Sequence, residues 1–316
     1  MSQVRILSPR PTDLGGSIGH VITPSRQPRP LGKSGILVSP IAWGTWRLAG
    51  DDVAGVRAMI DAALGAGITL FDTADIYGIG TPGGFGSAEA LFGRALAEEP
   101  ALRGRMVIAT KGGITPPVPY DSSAEHLAHA VDASLARMGI DVIDLYQIHR
   151  RDLLTHPEEV AGALTRMAEA GKVRAIGVSN YSPAERDALQ AFLDLPIVST
   201  QPEFSALHTA PLWDGTLDQA MAADMAVLAW SPLAGGRLAA GDHPARLLLA
   251  EHGARFDADA SAAALSWIMA HPARIIPIVG SQNPARIAAA ADAWRVGWTR
   301  AEWYAVLQAG MGERLP

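Results

Sequence analysis

The chain contains no cysteine. Disulfides, thiolate metal sites and a cysteine nucleophile are therefore excluded. Charge is also sparse, at 18% of 316 residues with a net charge of −6. The pI is about 5.8. No basic stripe runs along the sequence, so nucleic acid is not an expected partner. No apolar run approaches the ~20 residues of a membrane span, and the N-terminus lacks the apolar core of a secretion signal. The expected compartment is the cytoplasm, where the sequon Asn180-Tyr181-Ser182 carries no meaning. What the chain does have is apolar mass, 48% of its residues, together with 32 glycines. That is the composition of a globular domain with a large core.

The first 30 residues stand apart. Pro9, Pro11, Pro24, Pro28 and Pro30 fall there with several arginines and Gly15-Gly16. They read as a flexible N-terminal tail (1–30) ahead of a single domain (31–316). From residue 36 short runs rich in Ile, Val and Leu alternate with segments of helical period. The runs are 36–43, 68–71, 106–109, 142–148, 173–178, 196–200, 225–230 and 275–279. Helical pattern covers 52–66, 87–98, 123–138, 158–170, 184–193, 216–223, 260–271 and 285–293. Ser182-Pro183 and Asn283-Pro284 place a cap before a first-turn proline. Gly65, Gly139 and Gly171 sit where helices should stop. This succession predicts an α/β fold, a (β/α)8 TIM barrel in one domain. A doubly wound open sheet shares the alternation, but the count and the absence of a mid-chain break favour the barrel. Residues 231–258 read as a long insertion able to fold over the barrel top as a lid.

Barrel enzymes carry their chemistry on the loops after the strands. The second run ends in LFDTADIYG, placing Asp72 and Tyr77 at that end. Lys111 follows the third run and His149 the fourth. Ordinary strand-end capping explains any one of these residues. It explains poorly an Asp, a Tyr, a Lys and a His on successive strands. A free phenol has a pKa near 10, too high for an efficient acid at neutral pH. An ammonium about 4 Å away, at an effective dielectric near 20, contributes roughly 4 kcal/mol, enough to lower that pKa by about three. Lys111 can supply the ammonium, Asp72 can hold it charged, and His149 can donate to a substrate oxygen. No residue supplies a hydride, so a cofactor should.

GITLFDTADIYG, IATKGG, DLYQIHRRD, GVSNYS, TQPEFS, LAWSPL and IPIVGS, in that order and spacing, resemble the aldo-keto reductase superfamily, in particular bacterial members with a short C-terminus. The likeness covers about residues 31–310. It implies an NADPH-dependent reductase of aldehydes or ketones, with Asp72, Tyr77, Lys111 and His149 as the catalytic tetrad and Tyr77 as general acid. By the same likeness Ser179, Asn180 and Gln201 hold the nicotinamide carboxamide, and Trp230 lies under its ring. Gly44, Thr45 and Trp46 contact cofactor or substrate, while Ser231, Leu233 and Gly235 contact the pyrophosphate. Gly280, Ser281, Gln282 and Arg286 take the adenosine phosphate, Arg286 from the first turn of a helix. Gly280 stands where many NADPH-preferring members carry lysine, which admits NADH. Arg150 and Arg151 follow the histidine where the family often has proline, and read as solvated loop charges.

The expected partner is a small-molecule carbonyl or alcohol. The sequence specifies neither the substrate nor an oligomeric state. The alternative is an NADPH-binding regulatory or redox-sensing subunit with little turnover. GIGTPG (78–83) satisfies a dinucleotide fingerprint literally, but Pro82 interrupts it and no strand directly precedes it. It reads as a substrate loop. His126 and His129 lack a third metal ligand. Trp294, Trp298 and Trp303 read as core packing, and no serine sits in a nucleophile elbow.

Overall fold

The computed structural model describes residues 21–316. Residues 1–20 of the expected tail lie outside the described residues. Residues 21–30 are placed against the barrel: Ile22 exchanges backbone hydrogen bonds with Trp298, and Arg29–Pro30 forms a strand, β1. The first apolar run is not one strand. Leu37–Val38 (β2) pairs antiparallel with β1, and Ala42–Gly44 (β3) begins the barrel. Ser39 and Pro40 make the break. Proline cannot donate to a ladder, and the Ser39 hydroxyl accepts from the Thr69 amide at 2.8 Å.

The barrel continues with Leu70–Asp72 (β4), Val107–Gly112 (β5), Leu145–Ile148 (β6), Ile176–Ser179 (β7), Ile197–Gln201 (β8), Ala226–Ala229 (β9) and Ile276–Val279 (β10). These strands are parallel and close in the order β10-β3-β4-β5-β6-β7-β8-β9, the expected (β/α)8 barrel. Strand parity divides the core in two. Leu70, Val107, Ala109, Leu145 and Ala175 fill the lumen with Leu31, Ile36 and Val38 of the N-terminal hairpin, which plugs its lower end. Phe71, Ile108, Tyr146, Ile176 and Val178 face outward under the helices. Burying each large apolar side chain contributes roughly 1.5–3 kcal/mol. The parity that puts Leu70 and Ala109 in the lumen puts Asp72 and Lys111 at its top.

The helices are Val53–Gly65 (α1), Ser87–Glu98 (α2), Ala124–Met138 (α3), Pro157–Glu169 (α4), Pro183–Gln190 (α5), Thr216–Ala223 (α6), Pro244–Ala254 (α7), Ala260–Met269 (α8), Pro284–Ala289 (α9) and Arg300–Met311 (α10). The expected caps are present: Ser182 forms a capping box with Glu185, and Asn283 accepts from the amides of Ala285 and Arg286. Gly139 ends α3 in the left-handed region.

Residues 244–254 of the expected lid form α7. His243 caps it, Pro244 opens it, and Ala245, Leu249, His252 and Gly253 are buried on one face. It packs on α8 and α10. Helix α10 also lay outside the sequence reading, although Thr299 and Glu302 form its capping box. The late tryptophans are core: Trp298 stacks on His252 at 3.9 Å and Trp303 on Trp267 at 4.7 Å.

Candidate active site

Lys111 is fully buried, and its ammonium makes three contacts. It donates to Asp72 Oδ2 at 2.7 Å, to the Thr73 carbonyl at 2.7 Å and to the Tyr77 hydroxyl at 3.1 Å. These side chains meet because β4 and β5 are neighbours in register, with Asp72 opposite Ala109. The loop after Asp72 then turns back over the lumen, tied by the Asp75 amide to the Lys111 carbonyl at 3.0 Å. His149 follows β6, its ring 6.0 Å from that of Tyr77, and its amide bonds the Gly112 carbonyl at 2.9 Å. All four expected tetrad residues therefore share one mouth.

The electrostatics differ from the sequence expectation on one point. Lys111 was expected to lower the Tyr77 pKa, and instead the hydroxyl is pushed up. Burial is the largest cause, Lys111 pulls the other way, and Asp72 and Asp75 reinforce the rise. An attraction of roughly 4 kcal/mol holds for a lone ammonium, whereas Asp72 cancels much of that field from 2.7 Å. Tyr77 is consequently fully protonated at neutral pH. Burial pulls Lys111 down, but Asp72 and Tyr77 outweigh it and hold the ammonium above its usual value. His149 is driven well below the usual imidazole range by burial, Lys111 and Arg150. Its Nδ1 is sealed in without a hydrogen-bond partner, which leaves Nε2 as the ring nitrogen open to a substrate.

A chain of hydrogen bonds extends this group across the mouth. Gln201 Nε2 donates to Asp72 Oδ1 at 2.9 Å, and Ser179 Oγ to the Gln201 carbonyl at 3.0 Å. Asn180 Nδ2 donates to Ser179 Oγ at 2.9 Å and to the His149 carbonyl at 3.3 Å. Trp230 Nε1 donates to Asn180 Oδ1 at 2.9 Å. Asn180 holds a left-handed φ of 55°, which asparagine tolerates better than most residues. Residues expected to grip a carboxamide thus already brace one another, and Gln201 also braces Asp72.

The first-strand residues divide. Trp46 is 59% exposed, and its ring meets Tyr77 edge-on at 5.2 Å. Thr45 is turned inward, and its hydroxyl donates to Thr73 Oγ1 at 2.7 Å. It therefore supports the segment whose carbonyl receives Lys111. A Cβ on Gly44 would lie 2.8 Å from Ile278 Cγ2, so the glycine answers to packing between β3 and β10.

Ser231 Oγ accepts from the Gly235 amide at 3.1 Å and closes a turn after β9. Leu233 is half-buried behind it. Around β10, Trp43 Nε1 donates to the Ser281 carbonyl at 2.9 Å and Arg47 Nη1 to the Gly280 carbonyl at 2.9 Å. Gln282 donates to the Arg47 carbonyl. Arg286 lies exposed on the first turn of α9. Because Asn283 occupies the first amides of that turn, an anion there would meet the guanidinium.

Three contributors escaped the sequence reading: Thr73 through its carbonyl, Arg47 as a tie between loops, and Asp75. Asp75 is buried, and neither of its oxygens has a side-chain donor or a well-formed hydrogen bond. Burial first and Glu89 second push its pKa up to about 8. It lies inside DTADIYG, where nothing local separates it from an ordinary loop carboxylate.

The pattern of the aldo/keto reductase family matches residues 40–309. The chain belongs to this family. It is 54% identical to a 6-dehydroglucose reductase of Novosphingobium aromaticivorans, across 91% of this chain and 97% of that protein. A 6-dehydroglucose reductase of Agrobacterium fabrum is 38% identical, across 88% and 96%. The oxidoreductase YdhF of Escherichia coli is 35% identical, across 88% and 95%. The crystal structure of a thermostable aldo-keto reductase, solved with the inhibitor epalrestat, superposes with a TM-score of 0.79. That match covers 90% of this chain and 99% of the other at 23% identity. The reductase is thus a carbonyl-reducing oxidoreductase on a (β/α)8 barrel. Among the described residues no three His, Asp or Glu side chains cluster as metal ligands, and no helix is long and apolar enough to cross a membrane.

Proposed function

We propose that the reductase uses NADPH to reduce the aldehyde of an oxidised sugar, 6-dehydroglucose, with Tyr77 as proton donor. The observation that carries the mechanism is the Tyr77 hydroxyl 3.1 Å from a fully buried ammonium that Asp72 holds charged. The substrate class rests on the two similar proteins named for it.

The residues fit a dinucleotide. Gly235 and Gly236 carry open backbone, with no atom within 4 Å of an added Cβ, and Arg237 after β9 and Arg286 on the first turn of α9 are exposed. Ser179, Asn180 and Gln201 would hold the carboxamide and Trp230 the ring. Ser231, Leu233 and Gly235 would hold the pyrophosphate, and Gly280, Ser281, Gln282 and Arg286 the adenosine end. When bound, the cofactor supplies a hydride to the carbonyl carbon. The chain's own residues do the rest. His149 donates from Nε2 to the carbonyl oxygen and polarises it. As the carbon is reduced, that oxygen becomes more basic than a phenolate, so a protonated Tyr77 is downhill to donate despite its raised pKa. The Tyr77 O–H bond breaks, the new alcohol O–H forms, and Lys111 stabilises the phenolate until solvent reprotonates it. The exposed Trp46 offers an apolar face beside Tyr77 for a sugar ring.

The test follows NADPH and NADH absorbance with 6-dehydroglucose and a panel of other aldehydes, using the wild type and Tyr77→Phe. Loss of a positioned general acid should lower turnover by about 100- to 10,000-fold, with NADPH affinity nearly unchanged. Near wild-type turnover by Tyr77→Phe refutes the acid assignment, and a preference for simple aldehydes refutes the sugar substrate. Equal affinity for NADH refutes the phosphate role of Arg286.

A further inference from the structure

On the helix side of the barrel wall, beside the Lys111–Tyr77 pair, lies a second polar group that the proposed reaction does not use. Asp75 is 1% exposed, and its carboxylate has no side-chain donor and no well-formed hydrogen bond, only the weak pull of the Ile76 backbone amide beside it. Its backbone amide bonds the carbonyl of Lys111 at 3.0 Å, and Tyr77 follows two residues later. The nearby cation is already engaged: Arg137 Nε donates to Glu89 Oε2 at 2.8 Å, and Thr110 Oγ1 donates to Glu89 Oε1 at 2.5 Å. Tyr146 points its own unpartnered hydroxyl into the same space. A Cβ built on Gly112 would lie 2.1 Å from the Tyr146 oxygen and 3.2 Å from Asp75 Oδ2, so both groups close over this one glycine.

A buried carboxylate without a strong hydrogen-bond donor is far costlier than a buried carboxylic acid. The groups facing Asp75 settle which form the site holds. Glu89 on α2 repels its charge, while Arg137 on α3, the Ile76 backbone amide and Lys111 on β5 favour it. Tyr146 on β6 is uncharged, its own pKa driven well up by burial and then by Asp75 and Glu89. Asp72 and Tyr77, on its own strand and loop, are committed to Lys111. Desolvation outweighs the attractions and puts its pKa at about 8.

We propose that Asp75 is a positioning residue: as a neutral acid it keeps Tyr77 the stronger proton donor, and its ionisation weakens that donor. This rests on the reading of Tyr77 as the acid. An ionised Asp75 raises the Tyr77 pKa further, and so weakens the donor at the atom the proton must leave. Below the Asp75 transition the reaction runs at its full rate, and above it kcat/KM should step down to a lower plateau.

Two measurements decide the matter. Carbon-13 NMR of aspartate-labelled wild type, with no substitution, should show one buried carboxyl titrating near pH 8, far above the usual carboxylate range. The pH profile of kcat/KM should lose its alkaline limb in Asp75→Asn, whose amide is a permanently neutral mimic of the acid, while keeping its neutral-pH value within about threefold. A merely structural role would lower the profile without moving its limb. Absence of the titrating carboxyl, or a limb unmoved in a folded Asp75→Asn, overturns the proposal. If Tyr77→Phe stays active, the reading of the acid fails instead, and the NMR titration still reports the state of Asp75.

Discussion

Asp72→Asn removes one charge from the centre of the site and almost nothing else. The side chains are nearly isosteric. The amide oxygen of the variant can still accept from Lys111, and Gln201 can turn its own amide to present oxygen where it now donates at 2.9 Å. The hydrogen bonds survive, and the loss isolates the charge. At the observed 2.7 Å, and with an effective dielectric near 20, the attraction removed is about 6 kcal/mol. Lys111 is left fully buried with only the Thr73 carbonyl and the Tyr77 hydroxyl as its remaining native partners. Breaking such a pair from one side costs about 3–5 kcal/mol, against a total stability of roughly 5–15 kcal/mol. The variant should therefore fold, with a clearly lower urea midpoint. Much of the loss is relieved if Lys111 releases its proton. Tyr77 then loses its cation, and turnover should fall by about 100-fold or more. Urea denaturation with kcat/KM on one aldehyde reads both effects. The double variant Asp72→Asn/Lys111→Met, which leaves no orphaned charge, should be more stable than Asp72→Asn alone yet equally inactive. An unchanged urea midpoint in Asp72→Asn, or a double variant no more stable than the single, would refute the argument.

Two further predictions concern the polar group on the helix side of the barrel wall beside the tetrad. The Asp75 pKa is raised in the folded state, from an ordinary 3.8 to about 8, so the native state binds the extra proton, and stability falls as pH rises between those values. Asp75→Asn removes that penalty, and its stability advantage should grow from pH 4 to pH 8 towards something on the order of 5 kcal/mol; a Tm difference independent of pH would contradict this. Gly112→Ala sets a methyl 2.1 Å from the buried Tyr146 oxygen and should cost about 1–3 kcal/mol by overpacking. Tyr146→Phe alone should be nearly neutral, because its hydroxyl has no partner, and should restore most of the loss in the double variant; urea midpoints that simply add would show that the clash is elsewhere.

The periodicity of the chain was enough to specify the barrel. Eight apolar runs separated by helical pattern determine strand count and direction, and parity along each strand determines which residues reach the lumen. Asp72, Lys111 and His149 were therefore legible as a top layer, as were the caps at Ser182 and Asn283. The run at 36–43 misled because hydrophobicity does not distinguish a plug hairpin from a barrel strand, although Pro40 marked the break. Helix α7 was missed because an Ala- and Gly-rich stretch carries a weak apolar stripe, visible once Leu249 and His252 are known to be buried. Only the tertiary structure decided the electrostatics. Lys111 meets Tyr77 from 34 residues away, and Gln201 meets Asp72 from 129. Proton affinities follow from such distances and from burial, which local pattern does not encode. Hence Asp72 at the end of β4 and Asp75 three positions on, in the loop that follows, have opposite fates: one pairs with the ammonium, and the other is sealed in without a side-chain donor.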